Sequence, residues 1–160
     1  MVIVLMGVAG SGKTTIGRKL AAELGWQFYD ADDYHPRANI EKMSRGISLT
    51  DDDRSPWLQV LHDVIADSLA RGENAILACS ALKERYRMYL LFDERVRLVY
   101  LKGDHKLIEE RLQQRSGHFM KPQMLDSQFA ALEEPVQGLR IDVSSPLEEI
   151  IKTIRHHLSV

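Results

Sequence analysis

One cysteine, Cys79, stands alone in 160 residues, so no disulfide framework can form, and a reducing, cytoplasmic setting is expected. Apolar residues never run long enough to cross a bilayer. The opening stretch Val2–Met6 is short and has no basic region before it, so neither a signal peptide nor a membrane helix is expected. Basic charge is not in excess: 21 Lys and Arg face 23 Asp and Glu. A nucleic-acid partner is therefore not expected, and any anion site has to be local. The six histidines lack metal-ligand spacing; His156 and His157 are adjacent and leave a helix on different sides. His35 and His118 are kept as polar site candidates. Repeats, low-complexity segments and linkers are also missing, so residues 1–160 read as a single domain, long enough to bury a core without staples.

What the chain does contain begins at Gly7-Val8-Ala9-Gly10-Ser11-Gly12-Lys13-Thr14-Thr15, which follows an apolar strand and precedes a helical pattern. The spacing Gly7-x-x-x-x-Gly12-Lys13-Thr14 is a complete phosphate-binding loop in the context such a loop requires. Glycine lets the backbone turn and bring its N–H groups up to phosphate oxygens. Lys13 is then expected to reach the β- and γ-phosphates of ATP, Thr14 to offer its hydroxyl to Mg²⁺, and the helix N-terminus to add partial positive charge.

Strand and helix signals alternate along the rest. Trp26–Tyr29, Ala75–Cys79, Val96–Leu101 and Leu139–Val143 join Val2–Met6 as five strand candidates. Helices are expected after the loop as far as Leu24, from the Thr50-Asp51-Asp52-Asp53 start cluster to about Arg71, and over Leu82–Phe92. Others are expected from Asp104 to Arg115, over Met124–Leu132, and from Pro146 to Leu158, with a short helix near Ile40. The pattern gives an α/β fold with a five-stranded parallel sheet covered by helices on both faces. Ser116–Pro122 breaks the periodicity with loop composition, and a small mobile lid is expected at about 115–135.

A P-loop protein needs an acid near its metal, and the buried strand Ala75–Cys79 ends in Ser80 instead. Asp30 and Asp32, at the end of the preceding strand, are the better candidates. Their spacing of two puts both on one side if the backbone stays extended. One, Asp30, would hold the metal through water, while the other, Asp32, orients an acceptor hydroxyl and takes its proton. The plainer reading is an acidic turn. Arg111 and Arg115, four apart before the loop, could cover the nucleotide, and Lys83, Arg85 and Arg87 could meet an acidic substrate. An exposed basic helix face is the alternative for both groups.

Taken together, LMGVAGSGKTT, DADDYHPRANIEKMSRGISLTDDDRSPWL, CSALKERYR, LKGD and GHFMKPQMLDSQFAALEEP resemble the gluconokinase family, small P-loop kinases similar in fold to shikimate and nucleoside monophosphate kinases. The resemblance runs from Ile3 to about Pro146. It implies transfer of the ATP γ-phosphoryl to the 6-hydroxyl of D-gluconate. By position, it implies that Gly7 to Thr15 hold the triphosphate, Asp32 stands at the acceptor hydroxyl, and His35, Arg54, Lys83 and Arg87 frame the sugar acid. It further implies that Arg111 and Arg115 cover the nucleotide and that Ser144 to Pro146 lie near adenine. Homodimerisation is a further expectation. The rivals are a kinase for another small acceptor, such as shikimate or a nucleoside monophosphate, and a nucleotide-binding switch module that acts through partners.

Overall fold

A computed structural model describes residues 1–115 and 122–160. Five parallel strands, β1 (Val2–Met6), β2 (Gln27–Asp30), β3 (Ala75–Ala78), β4 (Val96–Lys102) and β5 (Leu139–Asp142), form one sheet in the order β2-β3-β1-β4-β5. β1 lies at the centre, with Val2 in register with Ala75 on one side and with Val96 on the other. All five of its residues are buried. Val2, Val4 and Met6 enter one core and Ile3 and Leu5 the other, which is why a sequence that must satisfy both faces reads as an unbroken apolar run.

The first core lies under α3 (Asp51–Ala70) and α4 (Glu84–Leu90). Trp57, Leu58, Leu61, Ile65 and Leu69 make the buried stripe of α3 at helical spacing. The second lies under α1 (Lys13–Leu24), α5 (His105–Gln114) and α7 (Leu147–Leu158), with Ile150, Ile151 and Ile154 supplied by α7. Two further helices, α2 (Arg37–Ser44) and α6 (Pro122–Ala131), share a cavity with Asp32 and Ser80, the residues just past β2 and β3. The order in which strands are added changes sides at β1, since β3 lies on one side of it and β4 on the other. The crevice beyond the carboxyl ends of such strands is where open α/β sheets bind ligands.

Local signals account for the helix starts. Thr50 caps α3 by accepting the Asp53 N–H, and Asp53 returns a carboxylate to the Thr50 N–H, a reciprocal capping box. Asp104 caps α5 by accepting the Leu107 N–H, without a reciprocal bond. Two expectations need correction. β2 leaves the extended conformation at Ala31, where a 3-10 turn over Ala31–Tyr34 begins, so Asp30 and Asp32 do not share a strand face. The helix over Leu82–Phe92 is shorter than its sequence pattern, Glu84–Leu90, because residues 79–83 turn sharply, with Ala81 at a positive φ of 44°. No helix among the described residues is long and apolar enough to cross a membrane.

Candidate active site

The P-loop is placed by β1 and closed by α1. Gly12 precedes the helix with φ 95°, a conformation that favours glycine, and Gly7 sits where a Cβ would meet Ser11 Oγ at 2.5 Å and the Leu101 carbonyl at 2.8 Å. Gly7 N–H donates to the Ser80 carbonyl at 3.3 Å, so the end of β3 is tied to the loop. Lys13 Nζ curls back onto the Gly7 and Val8 carbonyls, each at 2.9 Å, and burial pulls its pKa down while Asp32 opposes the shift. Around the loop lies a cavity of about 260 Å³ lined by Ala9, Gly10, Gly12, Lys13 and Thr14, with Asp30, Asp32, Ser80, Arg115 and Gln128 opposite. Thr14 Oγ1 donates to Asp30 Oδ2 at 3.1 Å. A hydroxyl and a carboxylate in contact beside a nest of N–H groups are the hard oxygen donors that suit Mg²⁺.

A second cavity, of about 350 Å³, opens on the side of α2 and α3. His35, Arg54 and Trp57 form one wall, Lys83 and Tyr86 another, and Met124, Ser127, Gln128 and Ala131 of α6 a third. Asp32, Ser80 and Gln128 line both cavities and mark their junction. The turn carrying Asp32 is fixed twice: Asp30 Oδ1 accepts the Asp32 N–H at 3.1 Å, and Trp57 Nε1 donates to the Ala31 carbonyl at 2.7 Å. Burial, and next Asp30, push the Asp32 carboxyl above its ordinary value, with Lys13 pulling the other way. A carboxylate raised in this manner is a better proton acceptor.

His35 stacks on Trp57 with centroids 4.3 Å apart and an interplanar angle of 13°. Asn39 Nδ2 lies 3.3 Å from His35 Nδ1, which makes that nitrogen the acceptor and leaves a neutral ring its N–H at Nε2. Burial and the nearby Arg54 lower the His35 pKa, consistent with that neutral form. Cations in this cavity differ in their commitments. Lys83 pairs with Asp51 at 3.2 Å, and Asp51 also accepts from Arg85 and from the Tyr86 hydroxyl. Arg54 donates to the Leu49 carbonyl and lies 3.5 Å from the Tyr86 hydroxyl, with no carboxylate partner among the described residues.

The structure gathers Lys13, Thr14, Asp30, Asp32 and Arg115 at one cavity and Asp32, His35, Arg54 and Lys83 at the other. Arg87 does not join them. It is only 6% exposed, and its guanidinium donates to the Ala81 and Leu82 carbonyls at 2.9 and 3.1 Å, so it holds the strained turn after β3. Arg111 donates to the Val143 carbonyl and thereby anchors the loop that leads to Pro146, the exposed N-cap of α7. Val8 is buried in the core beside the loop, and Thr15 is exposed in the first turn of α1. His118 lies outside the described residues. Trp57, Ser80, Tyr86 and Gln128 line the site without having been singled out, and only the spacing of Met124, Ser127, Gln128 and Ala131 in the last helix before β5 hinted at a shared face.

The comparison with known proteins gives this geometry its family. A family model described as AAA domain matches residues 2–136. The thermoresistant gluconokinase of Escherichia coli K12 is 44% identical, over 94% of this chain and 89% of its own. The gluconokinase of Gluconobacter oxydans is 47% identical, over 83% of this chain and 75% of its own. The chain belongs to the gluconokinase family. Among solved structures, a gluconokinase from Sinorhizobium meliloti superposes with a TM-score of 0.88 at 40% identity, over 99% of this chain and 91% of that one. As in that family, the P-loop of this gluconokinase relative is a nucleotide-binding element and the enzyme is a kinase.

Proposed function

We propose that this protein transfers the γ-phosphoryl group of ATP to the 6-hydroxyl of D-gluconate, giving 6-phospho-D-gluconate and ADP. The observation that carries the reading is Asp32, a carboxylate raised by burial and set at the junction of the P-loop cavity and the second, polar cavity. In this reading the P-loop N–H groups, Lys13 and the N-terminus of α1 neutralise the triphosphate. Thr14 and, through water, Asp30 would hold Mg²⁺, which when bound would offset negative charge on the triphosphate. Asp32 accepts the proton of the acceptor hydroxyl as its oxygen bonds to phosphorus and the bond to the β-phosphate oxygen breaks, ADP leaving with the electron pair. Arg115, which lines the P-loop cavity, balances charge on the moving group.

Arg54 takes the sugar-acid carboxylate, because it is the cavity cation without an acid of its own among the described residues. Neutral His35 and Ser127 are placed to pair with hydroxyl groups, with Trp57 as an apolar floor. A lid at about 115–135, of which 116–121 lie outside the described residues, belongs to the same proposal, as does a cytoplasmic homodimer. The deciding experiment is coupled ADP production with D-gluconate, shikimate, D-glucose and AMP as acceptors. Strong stimulation by gluconate is expected, with at most a small rate on D-glucose; equal stimulation by shikimate or AMP moves the enzyme to another acceptor, and none at all moves it to a switch.

A further inference from the structure

A P-loop works by giving its backbone N–H groups to phosphate oxygens, yet the Ala9 N–H is already engaged by a distant side chain. Ala9 N–H donates to Gln128 Oε1 at 2.6 Å, across 119 positions of sequence. In the empty enzyme the helix that carries this side chain is packed against the rest of the chain. Leu125, 2% exposed, and Phe129 seat α6 in the core, and Asp126 Oδ1 lies 2.6 Å from His105 Nε2 on α5. The opposite face of α6 presents Met124, Ser127, Gln128 and Ala131 to the second cavity. Gln128 alone on this helix lines both cavities. Its amide oxygen is used on Ala9, so its NH₂, two donors, is left for whatever enters.

We propose that Gln128 is a positioning residue for phosphoryl transfer: it occupies the Ala9 N–H in the empty enzyme, yields that donor to the triphosphate, and its freed carboxamide then steadies the phosphoryl group and acceptor hydroxyl where the two cavities meet. ATP binding therefore has to break the contact. A residue that only fastened α6 to the loop would have the opposite sign, since removing it would weaken nucleotide binding. The turnover half of the proposal rests on the phosphotransfer reading above; the nucleotide half rests only on the P-loop.

The test uses the full chain and calorimetric titration with a non-hydrolysable ATP analogue and Mg²⁺, beside steady-state kinetics. Gln128→Ala is expected to bind the analogue about three- to ten-fold more tightly, the worth of one competing hydrogen bond. Its kcat is expected to fall about ten-fold with the KM for gluconate little changed. Gln128→Glu places a stronger, anionic acceptor on Ala9 and repels the triphosphate, so the analogue should bind at least about ten-fold more weakly although the protein melts as wild type does. Unchanged or weaker analogue affinity in Gln128→Ala, or an unchanged kcat, overturns the proposal. Failure of the wild-type enzyme to phosphorylate gluconate leaves the titrations intact, so the two readings fail separately.

Discussion

The two cavities that meet at Asp32 are made from different materials. The nucleotide side is built on one continuous stretch, Ala9 to Thr14, whose backbone geometry follows from where glycine is required. The acceptor side is side chains drawn from the 3-10 turn, α3, the turn after β3, α4 and α6, brought together only by the fold. A backbone site tolerates little change of shape but carries little chemical identity. A side-chain site carries the identity, and each of its members needs its own support, as Trp57 and Asp30 support Asp32.

The sharpest way to break the nucleotide side is Lys13→Met, which removes the loop's fixed cation. Turnover is expected to fall by about 10³-fold or more while the melting curve is retained; a folded variant with near-normal turnover would falsify the P-loop assignment. Next in size is the junction. Asp32→Asn keeps shape but cannot take a proton at neutral pH, so kcat should drop by roughly 10²-fold with nucleotide affinity unchanged. Asp30→Asn should instead shift the Mg²⁺ concentration needed for half-maximal rate, and identical behaviour of the two variants would remove the division of labour between them.

These two sides were also unequally legible in the sequence. Strand, loop and helix of the P-loop follow one another, so spacing alone named Lys13 and Thr14. All five strands were visible because a sheet buried on both faces demands apolar runs. Asp30 and Asp32 were found for a reason the backbone does not obey, since β2 ends at Asp30 and the pair is joined by a turn. Arg87 shows where reading by residue type stops. In sequence it is one more base beside Lys83 and Arg85, and only the positive φ of Ala81 reveals that two carbonyls five and six residues back need its guanidinium. Gln128 carries no charge, and helical spacing puts it on one face with Met124, Ser127 and Ala131 without saying what that face meets.

A further prediction sharpens the acceptor side. Arg54→Met should lower kcat/KM for D-gluconate by about 10- to 100-fold, the loss of a charge-assisted pair, and leave the small rate with D-glucose nearly unchanged. Equal losses on both acceptors would show that Arg54 supports the wall and does not read the carboxylate. The smallest effect concerns that wall. Lys42 and the capping box with Thr50 hold the Asp53 carboxyl down at about 2. A carboxyl lower in the folded than in the unfolded chain stabilises above the unfolded value, near 3.8, and loses that contribution as pH falls toward about 2. Asp53→Asn should flatten the decline of Tm between about pH 4 and pH 2; a decline as steep as wild type's would show that the α2–α3 junction draws no pH-dependent support from this group.

Trp57 was described as a pin for the Asp32 turn and a floor under His35, and its placement has an optical consequence. The chain has two tryptophans, and Trp26 precedes β2 at the opposite end of that strand from Asp30, well apart from the acceptor cavity. An indole stacked on an imidazole and facing the acceptor cavity will change its emission when a sugar acid displaces water from its face. With Trp26→Phe, the fluorescence of this protein becomes a single-site report on acceptor occupancy, readable without turnover and without a label.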